Sequence, residues 1–204
     1  MPEFSFISPI SIFGPVEKFV FLSQQHGLIE LQENFQKKSM RNRTVIMTAN
    51  GVQTLSIPLR RGKTKENIKD VIIAYDENWV KDYIEAMRSA YANSAYFDHY
   101  FPRIESIINT KHKFLMDMFY SSFEFLSGAL DLNSCSFTEE YVLTYEHIID
   151  LRNSRPEDHV ILKEYFQVFS DRFPFTKGMS ILDCLFNTGP ETDSILKSST
   201  IHKA

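Results

Sequence analysis

At 204 residues, with 43% hydrophobic residues, 18 Phe and 9 Tyr, the chain has enough apolar surface to fold as one domain around a sizeable core, which excludes a disordered tether. Its formal net charge of -4 supplies no general pull toward nucleic acid or an anionic membrane, so non-specific nucleic-acid binding is excluded as a main role. No run approaches the roughly 18 uninterrupted apolar residues of a spanning helix, and Met1 to Leu22 lacks a basic start and is broken by Pro9, Gly14 and Pro15. No integral membrane segment, no signal peptide and a cytoplasmic location are therefore expected.

In chain order, Ser5 to Phe13 mixes β-branched and aromatic residues and predicts a strand that stops at Gly14-Pro15. Phe19, Val20 and Leu22 then suit a short helix from Val16, with Gly27 as its C-terminal stop. Thr44 to Thr48 and Val52 to Ile57 are β-prone runs around Asn50-Gly51, a dipeptide that accepts the positive φ angles of a tight hairpin turn. Arg60 to Asn67 reads as a polar loop, and Val71, Ile72 and Ile73 as a further strand within Ile68 to Tyr75. Trp79, Tyr83, Ile84, Met87 and Tyr91 have helical spacing behind the acidic start Asp76-Glu77-Asn78. Two more helical patterns run from about Ser94 to Ile108 and from Lys111 to Leu130. Ser136 to Thr144 suits a strand, Arg152 to His159 a charged loop, and Ser180 to Phe186 a last helix before Gly189-Pro190. The expected architecture is an α/β single domain over residues 1–193, with an N-terminal strand-turn-helix, a β-hairpin around Asn50-Gly51, a helical middle and a loose polar tail over 194–204.

The densest polar constellation precedes the hairpin: Glu30, Gln32-Glu33-Asn34, Lys37-Lys38 and Arg41-Asn42-Arg43. Guanidinium forks can hold a phosphate or a carboxylate in two-pronged fashion, and Lys37, Arg41, Asn42 and Arg43 are the candidate ligand-binding residues. The same charges can equally form a solvated turn in which they pair with each other. A second basic run, Arg60-Arg61-Gly62-Lys63-Thr64-Lys65, ends like a phosphate-binding P-loop, but Ile57 stands where its first glycine is required. It is a solvent-facing loop or a cover for a phosphate-bearing ligand. None of the six histidines forms a zinc-type pair, so no metal is expected, although Asp98 stands beside His99. Cys135 and Cys184 lack framework spacing and are expected as reduced thiols. Trp79, Tyr91, Tyr96, Phe97, Tyr100 and Phe101 can stack on a sugar or base, but at helical spacing they are first of all core residues. No nucleophile elbow or dinucleotide glycine fingerprint appears, and no cofactor can be named from these residues.

Three segments, taken together, carry a family resemblance. The first runs from Glu33 to Arg43 and continues through Ile46, Asn50-Gly51 and Leu55-Ser56-Ile57-Pro58. The second is Ile68-Lys69-Asp70-Val71, then Asn78-Trp79, Tyr91 and Ala95-Tyr96-Phe97. The third is Tyr165 with Gln167-Val168-Phe169, then Ser180 to Asn187 and Gly189-Pro190. In order and spacing they resemble the WbqC-like family, the third segment its Bacteroidetes-type branch. The start departs, because Ser11-Ile12-Phe13-Gly14-Pro15 stands where the family has an aromatic, apolar, proline turn. The resemblance implies a role in surface-polysaccharide, O-antigen-type, sugar assembly. Combined with the charge chemistry, it suggests a transferase that modifies a nucleotide-linked sugar, with Lys37, Arg41 and Arg43 receiving the phosphates and Asn42 orienting a polar group. The alternative is a non-catalytic binding or scaffold protein of polysaccharide assembly.

Overall fold

Four short strands, all parallel, cross the centre of the computed structural model, which describes residues 4–60, 62, 65–133, 135–143 and 147–202. They are β1 (Phe6–Pro9), β2 (Gly27–Glu30), β5 (Cys135–Phe137) and β6 (Ile149–Asp150), in the spatial order β5-β2-β1-β6. β1 and β2 are buried along their whole length, so they show no in-out alternation. The ladder of β1 ends at Pro9, earlier than the residues up to Phe13 suggest, and Ser11 to Phe13 turn the chain. Between β1 and β2 lies α1 (Val16–Gln24), eight of whose nine residues are buried, including Glu17 and Lys18. Gly27 does not cap this helix. It opens β2, where a Cβ would stand 2.2 Å from the Phe6 ring, so the strand pair closes only on glycine.

The expected hairpin is present as β3 (Arg43–Thr48) and β4 (Gly51–Ser56), paired in antiparallel register from Arg43↔Ser56 to Thr48↔Gly51. The turn centres on Ala49-Asn50, one residue earlier than expected, and Gly51 takes the positive φ of 99° as the first residue of β4. Thr44 anchors the hairpin: its hydroxyl donates to Ile12 O (2.9 Å) and accepts from Tyr83 Oη (2.6 Å).

Residues 71–73 are not a strand. A 3-10 turn at Ile68–Asp70 leads into single bridges, Ile73 to Leu59 and Ile72 to Phe114, because no neighbour runs alongside long enough to form a ladder. Helices α2 (Trp79–Tyr91), α3 (Phe97–Asn109) and α4 (Leu115–Ala129) follow as expected. Trp79, Tyr83 and Met87 on α2, Phe97, Phe101 and Ile104 on α3, and Leu115, Phe119 and Leu126 on α4 face the common core. Each such side chain contributes about 1.5–3 kcal/mol on burial. Of Ser136 to Thr144, only Ser136 and Phe137 are in a strand, and Thr144 lies outside the described residues.

The C-terminal stretch is ordered. α5 (Ile181–Thr188) leads through a 3-10 turn into α6 (Thr192–Ser198), and β8 (Thr200–Ile201) pairs with β7 (Val160–Ile161). The tail expected from Ser194 is thus corrected over residues 194–201, because Ile195 and Leu196 bury against the core and α6 packs on α1. Asp183 on α5 accepts from Tyr91 (2.9 Å), Tyr165 (2.7 Å) and Gln167 (3.1 Å), which ties the third family-like segment to the helical middle. Burial raises its carboxyl above the ordinary range despite these bonds. Both cysteines are free thiols, and burial pushes Cys184 up to about 12. Among the described residues no helix is long and apolar enough to cross a membrane.

Candidate functional site

Parallel α/β sheets place their usable crevice beyond the carboxyl ends of the strands, where the strand order reverses. Here that point lies between β1, which connects through α1 to β2 on one side, and β6, which joins on the other. A lobe of about 410 Å³ opens there, lined by Phe13 after β1 and by Arg152, Asn153, Arg155 and Glu157 after β6. A larger lobe of about 840 Å³ lies beside the hairpin and is lined by Lys37, Lys38, Arg43, Arg60 and Lys65. Lys37, Lys38 and Arg43 line both lobes and form the ridge between them. A third lobe of about 450 Å³ shares Phe35 and Lys65 with the larger one and Gln36 with the lobe at the sheet end. The three lobes surround the turn at residues 35–38.

The backbone is strained around this cleft. Phe13 (φ 49°), Lys38 (φ 57°) and Lys65 (φ 63°) all adopt left-handed conformations without being glycine, and all three line it. Each costs on the order of 1 kcal/mol or more, and strain of this kind collects at functional sites.

The four candidate residues separate into three roles. Arg41 is buried (1% exposed) and bidentate to Glu33: Nε donates to Oε1 at 2.7 Å and Nη2 donates to Oε2, while Nη2 also reaches Arg152 O at 3.3 Å. Its fork is engaged inside the protein. Asn42 donates from Nδ2 to Ile57 O (2.8 Å), and Ile57 N donates to Asn42 O (2.9 Å), which fastens the base of the hairpin. The remaining Asn42 oxygen, Oδ1, is buried without a partner, on a residue that lines the larger lobe. Lys37 and Arg43 reach the ridge, and among the described residues neither they nor Lys38, Arg60 or Lys65 form an ion pair. Unpaired cations converging on a concave surface suit a phosphate-bearing ligand. Of the second basic run, Arg61, Lys63 and Thr64 lie outside the described residues.

Beneath the ridge is a buried ionic layer that sequence reasoning did not resolve. Arg152 donates from Nε and Nη2 to Asp150 (3.0 and 2.8 Å), and from Nη1 to Glu30 (3.0 Å) and Val142 O (2.6 Å). Glu30, with no exposed surface, also accepts from Thr138 Oγ1 (2.7 Å) and from the amides of Gln32 (2.8 Å) and Val142 (3.1 Å). Glu30 and Asp150 end β2 and β6, so the sheet itself carries this layer to the floor of the cleft.

The start of α1, a position that holds phosphate in many nucleotide-binding folds, is covered from within by residues 178–181. Val16 N donates to Met179 O (2.8 Å), Ile181 N to Gly14 O (2.8 Å), and Gly178 N to Glu17 Oε1 (2.9 Å). Glu17 Oε2 has no partner, and burial raises this carboxyl to about 7. Lys18 donates to Pro9 O (2.7 Å) and Ser11 Oγ (2.9 Å), and burial lowers its amine to about 7. The two groups help fix the turn after β1, including the stretch in which the sequence departs from the family pattern.

Of the aromatics considered for stacking, Trp79, Tyr91, Phe97 and Phe101 are core residues. The aromatic exposed at the cleft is instead Tyr141, in the third lobe. His99 is exposed on α3, away from the cleft residues. Among the described residues no cluster of His, Cys, Asp or Glu is placed to hold a metal ion.

The sequence model of the WbqC-like protein family matches residues 28–147, more than half of the chain. The match takes in the ridge, the hairpin, α2 to α4 and Tyr141, and leaves β1, α1 and the C-terminal segment outside. No curated protein and no solved structure matches the chain.

Proposed function

Because the chain belongs to the WbqC-like protein family, we propose that it acts in cytoplasmic assembly of a surface polysaccharide of the O-antigen type, as a transferase that modifies a nucleotide-linked sugar. The observation that carries this reading is the ridge of Lys37, Lys38 and Arg43 between the lobe at the strand-order reversal and the lobe beside the hairpin, with no carboxylate among the described residues paired to any of the three. A diphosphate laid across the ridge meets three cations. The larger lobe, with Ile57, Leu59 and Val71 among its lining, suits the nucleoside. In this reading Arg41 is a positioning residue, whose pairing with Glu33 fixes the segment that presents Arg43.

The test is calorimetric titration and thermal shift with UDP, dTDP, GDP and their hexose conjugates. A ligand present at about 100 times its Kd stabilises the fold by about 2.7 kcal/mol, which for a chain of this size raises Tm by roughly 5–10 °C. Absence of any nucleotide response overturns the reading.

A second reading is a non-catalytic binding or scaffold protein. It is favoured by the ion pairing of Glu30, Glu33 and Asp150, which engages these carboxylates with arginine. Nucleotide-sugar binding without turnover of any acceptor supports it over the transferase.

A further inference from the structure

We infer that the third lobe is a saccharide subsite in which the open face of Tyr141 stacks against the apolar face of a pyranose ring. The inference rests on the nucleotide-sugar reading and specifies where the sugar moiety lies.

Tyr141 is 52% exposed, yet its ring is held in place. The Arg152 guanidinium lies 4.9 Å from the ring centroid and covers one face. That guanidinium is itself fixed by Asp150, Glu30 and the Val142 carbonyl, so the support under the ring is rigid. An aromatic ring backed in this way presents a flat surface whose ordering cost has already been met in folding. The polarised C–H groups on one face of a pyranose complement the electron-rich face of such a ring.

The rim has matching chemistry. Gln32, Asn34 and Gln36 offer amides, and Glu33 between them is buried and fixed by Arg41, which holds this segment in place. Amide groups beside an aromatic ring are the complement of a sugar, which alternates one apolar face with an equator of hydroxyls. Position agrees as well: the lobe joins the larger one through Phe35 and Lys65, and the sheet-end lobe through Gln36. A hexose attached to a diphosphate on the ridge is therefore adjacent to it. A nucleobase is less well matched here, since the apolar residues Ile57, Leu59 and Val71 line the other lobe.

The experiment compares UDP with UDP-glucose and UDP-N-acetylglucosamine, and dTDP with dTDP-glucose, by calorimetry on the full chain and on Tyr141→Ala, Tyr141→Leu and Tyr141→Phe. The expected result is that Tyr141→Ala and Tyr141→Leu weaken the sugar conjugates about fivefold while free nucleotides stay within about twofold, and that Tyr141→Phe keeps both. Equal weakening of free and conjugated nucleotide overturns the inference by placing the base on the ring. An unchanged ratio in all variants overturns it while leaving the nucleotide reading intact. If wild-type protein binds no nucleotide at all, both fall. Leucine keeps apolar bulk without a flat face, so a loss there is a loss of stacking, and an unshifted Tm in each variant confirms an intact fold.

Discussion

Arg41 and Arg43 stand two residues apart and have opposite fates. Arg41 is sealed into the molecule, bidentate to Glu33, whereas Arg43 lies in the cleft without an ion pair among the described residues. Burial converts the first guanidinium into a structural strut, because a charge removed from water must be matched in place. Partial exposure leaves the second available to a ligand. The contrast teaches that a run of basic residues is not a uniform anion trap: adjacent positions divide between building the site and meeting the ligand.

The largest effect that can break this comparison is on stability. Arg41→Ala leaves the Glu33 carboxylate buried and unpaired, and should cost about 3–5 kcal/mol in urea denaturation. A loss no greater than that of Arg43→Ala would erase the distinction. The next effect concerns buried groups with no opposite charge bonded to them. Glu17, raised from 4.5 to about 7, holds its proton longer in the folded chain, so folding loses stability as pH rises from about 4.5 to about 7. Lys18, lowered from 10.5 to about 7, releases its proton earlier, so folding regains stability as pH rises from about 7 to about 10.5. Together they should produce a minimum near neutral pH in Tm profiles, with Glu17→Gln flattening the acid flank and Lys18→Met the basic one.

Smaller still, Arg43→Ala should shift stability by no more than about 0.5 kcal/mol while weakening UDP about tenfold, as read by calorimetry. Arg43→Lys should recover part of that affinity, since it restores charge without the planar fork. The mildest test is ionic strength. Raising salt from about 0.05 to 0.5 M should weaken nucleotide binding at the exposed ridge several-fold and leave the stability difference due to Arg41 nearly unchanged, because buried pairs are screened little.

What the sequence revealed follows from how local each cause is. The hairpin was legible because its turn chemistry lies within a few residues, and α2 to α4 because their apolar stripes repeat along a single element. β2 was hidden, since Gly-Leu-Ile-Glu is too short and too buried to show a period, and Gly27 has the appearance of a helix stop until the Phe6 ring is set against it. Residues 71–73 had the composition of a strand but no partner, which no local property reports. The segment 37–43 stands out in the sequence as a dense polar constellation, and Lys37, Lys38 and Arg43 line the cleft, yet nothing local separates Arg41 from Arg43. Their division depends on Glu33 and on the Arg152 carbonyl far along the chain. Tyr141 was missed for the same reason: its standing as a platform comes from Arg152 beneath it.

The seal placed over α1 by Gly178 to Ile181 has a consequence for the order of events during synthesis. β1 and α1 emerge from the ribosome well before β6, the second neighbour of β1, and before the segment that closes the helix start. At roughly 5–20 residues per second, the chain between Val16 and Ile181 takes about 10–30 s to appear. Throughout that interval Phe19, Val20, Phe21 and Leu22 lack their final cover, and the nascent chain must carry this helix unfinished. Closure of α1 is thus gated by synthesis of residues 178–181, and a ribosome that pauses before residue 178 holds an intermediate whose apolar helix is still uncovered.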